Sequence, residues 1–171
     1  NAIVTLATEA AREAAQSAEA MVQAGKPLGP LHGLPVVIKD VTPTAGIRTT
    51  YGCTVYADHI PGEDATVVAQ LRTAGAIILG KSNTPEFAAG ANTDNEVFGA
   101  TRNPWNTDRS PAGSSGGSAA AVSSGMVPLA HGTDFGGSLR VPAAFCGIVG
   151  LRTAPGLVPN HPMPLPFDPG Q

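Results

Sequence analysis

The sequence predicts an α/β fold, and three observations carry that prediction. Short apolar runs, Leu34–Lys39, Ala76–Leu79 and Val127–Ala130, have strand length. Segments with helical spacing lie between them, giving a β-α-β-α-β alternation. The charged fraction is only 13% against 42% hydrophobic residues, a balance that suits buried parallel strands covered by helices.

Residues 4–24 are alanine-rich and free of proline, with Leu6, Ala10, Ala14, Ala18 and Met21 on roughly one face, so they predict a helix stopped by Gly25. Leu34–Lys39 reads as a buried strand, followed by a Gly/Pro/Thr segment to about Gly62. Asp64 is placed to cap a helix through Ala74, with Val67, Val68 and Leu71 inward and Gly75 as its stop. Ala76–Leu79 is the second strand, and Thr84-Pro85-Glu86 predicts a short helix capped by threonine. Residues 89–113 are polar and irregular. Ser118–Ser124 predicts a small-residue helix, Val127–Ala130 a third strand, and Ser138–Phe145 a helical turn interrupted by Pro142. Six prolines from Pro155 to Pro169 exclude a helix or central strand in the tail.

Composition narrows the function. A net charge of −3 gives no basic footprint for nucleic acid. No apolar run approaches the roughly 18 residues that span a bilayer. Cys53 and Cys146 do not make a disulfide framework and read as reduced thiols, which points to the cytoplasm. Asn1 is not a natural start, so targeting information is not read from this end.

Several motifs compete. Gly75–Ser82 matches the phosphate-loop pattern G-x-x-x-x-G-K-[ST], but its four middle residues are apolar and strand-like where a cradle needs a loop, so that reading is rejected. Gly113-Ser114-Ser115-Gly116-Gly117 matches a nucleophile elbow, with Asp134 and His161 available as partners in chain order. The elbow needs a strand before its serine, and residues 103–111 read as a loop. A plain Gly/Ser linker is opposed by Ala119–Val122, which continues directly into a helix pattern. Phe135-Gly136-Gly137-Ser138 sets successive N–H groups around one hydroxyl, which suits an oxyanion hole better than an ordinary tight turn. Lys39 alone reads as a strand-end lysine reaching water. Buried beside serines, the same lysine becomes a usable neutral base.

Taken together, these segments resemble the amidase signature family. The matching stretches are Gly29–Asp40, Gly80–Phe87, Asn103-Pro104-Trp105, Gly113–Ser118, Gly132–Ser138, Pro142–Gly147 and Gly150–Thr153. The resemblance implies an α/β/α sandwich around a mixed sheet. It also implies a catalytic set of Lys39, Ser114 and Ser138, with a cis peptide at Gly113–Ser114. The oxyanion hole would be the N–H groups of Phe135, Gly136, Gly137 and Ser138, and Ser115 and Arg140 would support the network. Ala112 stands where many members have glycine. The implied activity is hydrolysis of a small-molecule amide through a seryl acyl-enzyme, with no metal or organic cofactor, no nucleic-acid or membrane partner, and a homodimer left open. An amidase subunit of a tRNA-dependent amidotransferase, or a non-catalytic fragment, are the alternatives. Family members are longer, so residues 1–171 are expected to be the N-terminal catalytic part of one domain.

Overall fold

The computed structural model describes residues 1–162. Four strands form one mixed sheet in the order β1-β3-β2-β4, where β1 is Ile3–Leu6, β2 Pro35–Lys39, β3 Ile77–Ser82 and β4 Leu129–Ala130. β3, β2 and β4 run parallel, and β1 pairs antiparallel with β3 at the edge. The helices are α1 (Thr8–Gln23), α2 (Thr66–Thr73), α3 (Gly116–Ser123) and α4 (Arg140–Cys146).

β2 organises the core through its period of two. Val36 and Ile38 face one side and pack with Ile78 and with Val68 of α2. Val37 faces the other side and packs with Ala120 and Ala121 of α3 and with Val127. Each fully buried Val or Ile contributes about 1.5–3 kcal/mol. The same alternation sends Lys39 to the α3 side and Asp40 to the α2 side. This matches the predicted α/β/α arrangement, with helices on both faces of a mixed sheet.

The differences from the sequence reading have local causes. Residues 3–6 are a strand rather than the first turn of a helix, because tertiary pairing overrides the alanine-rich context: Asn83 N–H donates to Ala2 O and Ala7 N–H to Leu79 O, closing both ends of the β1–β3 ladder. The inward residues of this region are therefore Ala7 and Ala11, while Leu6, Ala10 and Ala14 are exposed. α2 is capped at Ala65, not Asp64, whose carboxylate instead accepts from Ala45 N–H (2.7 Å) and Arg72 Nε (2.9 Å). After Pro85 the chain makes only a 3-10 turn, Glu86–Ala88, and the Thr84 hydroxyl caps nothing. α3 begins two residues earlier than predicted, at Gly116. β4 is only Leu129–Ala130, with Val127 serving the core instead. Pro142 does not interrupt α4. It lies in the first turn, where its missing N–H has no partner to lose. Residues 163–171, with the last three prolines of the tail, lie outside the described residues.

α3 lies close against the sheet because its first turn is glycine. A Cβ on Gly117 would meet Asn83 N at 2.3 Å, Asn83 O at 2.6 Å and Ala2 O at 2.8 Å, all backbone atoms. Gly117→Ala is therefore expected to cost about 3 kcal/mol. Denaturant titration checks this, and a loss within about 0.5 kcal/mol would mean that α3 slides freely on the sheet.

Candidate active site

Lys39 is the last residue of β2 and is completely buried. Its Nζ lies 2.7 Å from Ser114 Oγ and 2.7 Å from Thr133 Oγ1. Ser114, also fully buried, comes from the segment entering α3, and its peptide bond to Gly113 is cis, as the resemblance implied. Ala112 just before it has φ +63, the left-handed region that glycine occupies without cost, which accounts for the family's usual residue there.

Ser115 ties three segments together. Its Oγ donates to Thr133 O and accepts from Thr133 N–H, both at 3.1 Å, and its own N–H donates to Ser138 O at 3.1 Å. This closes off the elbow alternative. Ser115 heads α3 after a loop rather than a strand, and its hydroxyl is engaged with backbone.

The loop from Gly132 to Arg140 is held by one carboxylate. Asp134, 1% exposed, accepts from Gly137 N–H (2.7 Å), Leu139 N–H (3.1 Å) and Arg140 N–H (3.2 Å), and from Arg140 Nε and Nη2 (both 3.0 Å). Arg152 Nε lies 3.6 Å from the carboxylate and donates to Asp134 O at 3.1 Å. Burial alone would raise the Asp134 pKa. The Arg140 side chain and the backbone N–H groups outweigh it and hold the carboxyl well below its usual range. Gly137 has φ +120, a conformation that a side chain would strain. The arrangement corrects the predicted set of four free N–H groups. The Gly137 N–H is used by Asp134, whereas those of Phe135, Gly136 and Ser138 have no acceptor among the described residues. The Ser138 hydroxyl is half-buried and makes no hydrogen bond among them, so Ser114 and Ser138 are not in direct hydrogen-bond contact.

Electrostatics distinguish Lys39 from an ordinary lysine. Burial lowers its pKa from 10.5 to about 7, and the Asp134 charge opposes this only in part. Asp40, although adjacent, contributes nothing to that balance. It faces the other side of the sheet, where Thr50 N–H and Oγ1 donate to it. Two buried groups carry more weight in the structure than the sequence reading gave them. Lys81 is fully buried on the Asp40 side, donating to Thr42 O, Thr44 Oγ1 (2.8 Å) and Thr49 Oγ1 (2.9 Å), and burial brings its pKa to about 7. His131 is held neutral, its pKa lowered to about 3 by burial and then by Lys39 and Lys81. Among the described residues no cluster of three or more His, Cys, Asp or Glu side chains could hold a metal ion, and no helix is long and apolar enough to cross a membrane.

With this geometry in place, comparison with known proteins is decisive for ancestry. Residues 1–171 match the Amidase family throughout. The chain belongs to the amidase signature family. It is 53% identical over 161 residues to a glutamyl-tRNA(Gln) amidotransferase subunit of Rhodopirellula baltica, covering 94% of this chain and 32% of that protein. The corresponding subunit of a Roseiflexus species is 51% identical, covering 94% and 33%. The peptide amidase PAM in complex with chymostatin superposes with a TM-score of 0.87 at 37% identity, over 92% of this chain and 33% of that one. 6-Aminohexanoate cyclic dimer hydrolase superposes with a TM-score of 0.77 at 39% identity, over 86% and 29%. The chain thus spans about a third of the length of these amidase-signature relatives.

The buried charges make stability depend on pH. Unfolded lysine holds its proton to about 10.5, whereas folded Lys39 and Lys81 release theirs near 7. The unfolded chain therefore binds more protons between these values, and stability rises with pH across that window. Cys146, raised from 9 to about 11, opposes the rise only above pH 9. Thermal melts between pH 7 and 9 should show the rise, with a shallower slope in Lys39→Met; an unchanged slope would assign the titration elsewhere. Asp134→Asn should cost about 2–3 kcal/mol by denaturant titration, because the buried carboxylate's two oxygens serve the N–H groups of Gly137, Leu139 and Arg140 and an amide offers only one acceptor oxygen.

Proposed function

We propose that this chain carries the acyl-transfer machinery of an amidase, with Ser138 as nucleophile, Ser114 as proton relay and Lys39 as base. The observation that carries the reading is the 2.7 Å contact of Lys39 Nζ with Ser114 Oγ, made by a buried amine whose pKa lies near neutrality. Neutral Lys39 takes the Ser114 proton as Ser114 takes that of Ser138. Ser138 Oγ bonds to the carbonyl carbon, and the N–H groups of Phe135, Gly136 and Ser138 stabilise the oxyanion. The C–N bond then breaks, and the relay returns the proton to the leaving amine. Water releases the acyl group by the same path. The Ser138 hydroxyl must turn toward Ser114 for the first transfer, and its lack of any competing hydrogen bond among the described residues leaves it free to do so.

Residues 1–171 are then the N-terminal catalytic portion of a single domain, acting on a small-molecule amide in the cytoplasm, with Ser115 and Arg140 as supporting residues. A second reading keeps the chemistry and changes the setting. The relatives at 53% and 51% identity are glutamyl-tRNA(Gln) amidotransferase subunits, which favours tRNA-dependent amide transfer in a multi-subunit assembly over a homodimer. Amide hydrolysis that requires a partner protein and a tRNA separates this from hydrolysis of simple amides by the protein alone.

In the full-length protein, Ser138→Ala should lower amide hydrolysis by roughly a thousandfold or more with the fold intact. Near-normal turnover in Ser138→Ala would exclude the assignment. Activity should rise with pH through an ionisation near 7, and Lys39→Ala should remove this limb with most of the rate. A Lys39→Ala enzyme with the same limb and comparable rates would show that the base is another group.

A further inference from the structure

We infer that Thr133 is the positioning residue of the base: its hydroxyl takes one N–H of Lys39 and so turns the amine lone pair toward Ser114. The inference rests on the acyl-transfer reading above. Lys39 Nζ has two hydrogen-bond partners among the described residues, Ser114 Oγ and Thr133 Oγ1, both at 2.7 Å. A neutral primary amine has two N–H groups and one lone pair. If the lone pair is to receive the Ser114 proton, Thr133 Oγ1 must be an acceptor. An amine touching Ser114 alone could rotate about its last C–N bond and aim an N–H at the serine, a dead-end for proton transfer. After transfer, the ammonium donates to both oxygens in the same geometry, so no heavy atom has to move.

Thr133 is built into this position. Its backbone is clamped on both sides by the Ser115 hydroxyl, which donates to its carbonyl and accepts from its N–H. The branched side chain has few rotamers, so a fixed backbone fixes the hydroxyl. The next residue, Asp134, anchors the nucleophile loop. One short segment therefore sets the base and the nucleophile in a common frame.

The surroundings of the amine leave little else to do this. Ser114, Ser115 and Ser118 come from α3 and its approach, and Ser82 pairs with Lys39 across the β2–β3 ladder; none is charged. Of the titratable groups, Asp134 is ion-paired with Arg140 and Arg152 and makes no contact with the amine, and His131 is uncharged. Asp40 and Lys81 are on the opposite face.

The test compares Thr133→Val, which keeps the shape and removes the oxygen, with Thr133→Ser, which keeps the oxygen. Both are assayed in the full-length protein beside wild type and Ser138→Ala on one amide. Thr133→Val should lower kcat/KM roughly tenfold to a hundredfold. The midpoint of its ascending pH limb should move to lower pH, because the lost acceptor had favoured the protonated amine. Thr133→Ser should restore both rate and midpoint, with melting temperatures matched across the set. Wild-type rate and midpoint in Thr133→Val, with Ser138→Ala inactive, overturn the role of Thr133 and leave the function standing. Equal losses in the Val and Ser variants, with a lowered melting temperature, also overturn it, because they assign the residue a packing role. Full activity in Ser138→Ala overturns the acyl-enzyme reading and this inference together.

Discussion

A buried amine without a contacting counter-ion is the constraint around which this structure is arranged. Lys39 ends the central strand with no solvent exposure, and no carboxylate lies within ion-pair distance among the described residues. Removing an ammonium from water costs several kcal/mol unless it is paired, so the site lowers the cost by releasing the proton. Two hydroxyls are the partners that tolerate this, because a hydroxyl can accept from an ammonium and donate to an amine. The strand, the serine-rich entry to α3 and the Gly132–Arg140 loop converge on one nitrogen for that reason.

The loop solves a second problem, which is to present backbone N–H groups without letting the backbone pair with itself. Asp134 does so by absorbing the donors that would otherwise compete. It takes the N–H groups of Gly137, Leu139 and Arg140 and the fork of Arg140. The N–H groups of Phe135, Gly136 and Ser138 are left without an acceptor among the described residues. The same carboxylate acts on Lys39 as well, where its charge opposes in part the lowering that burial produces. Arg140 and Arg152 pair with it on the loop side, so one ion cluster anchors the segment beside the amine.

Much of this was legible in the sequence, for a physical reason. The apolar runs of β2 and β3, the glycine turns and the lysine at a strand end are local signals, and local signals survive in a one-dimensional reading. β1 was not legible, because Ile3–Leu6 becomes a strand only through pairing with β3, some 75 residues on. The cap of α2 was misassigned because Asp64 has a better donor set in Ala45 and Arg72. Thr133 and Asp134 lay inside a motif already singled out, yet the Thr133 hydroxyl meets Lys39, 94 residues away, and the Asp134 contacts follow a backbone path that composition does not fix. The commitment of the Gly137 N–H was hidden for the same reason.

Lys81 shows how partner chemistry, beyond burial, decides what a lysine can do. Lys39 and Lys81 sit on adjacent parallel strands, one register step apart, on opposite faces of one sheet. Burial brings both to a pKa of about 7. Their partners differ. Lys81 meets a backbone carbonyl and two threonine hydroxyls, three acceptors for the three N–H groups of an ammonium. The Thr44 and Thr49 hydroxyls already donate to Thr42 O and Ile47 O, and a carbonyl cannot donate, so the three oxygens present acceptors to the Lys81 nitrogen. Lys39 meets two hydroxyls and no carbonyl, so either charge state finds complementary partners. The threonines of residues 42–49 thus suit Lys81 to a structural role, clasping the loop that follows β2. The serine and threonine beside Lys39 suit it to accept a proton. Two equally buried lysines part into structure and chemistry through the donor capacity of the oxygens around them.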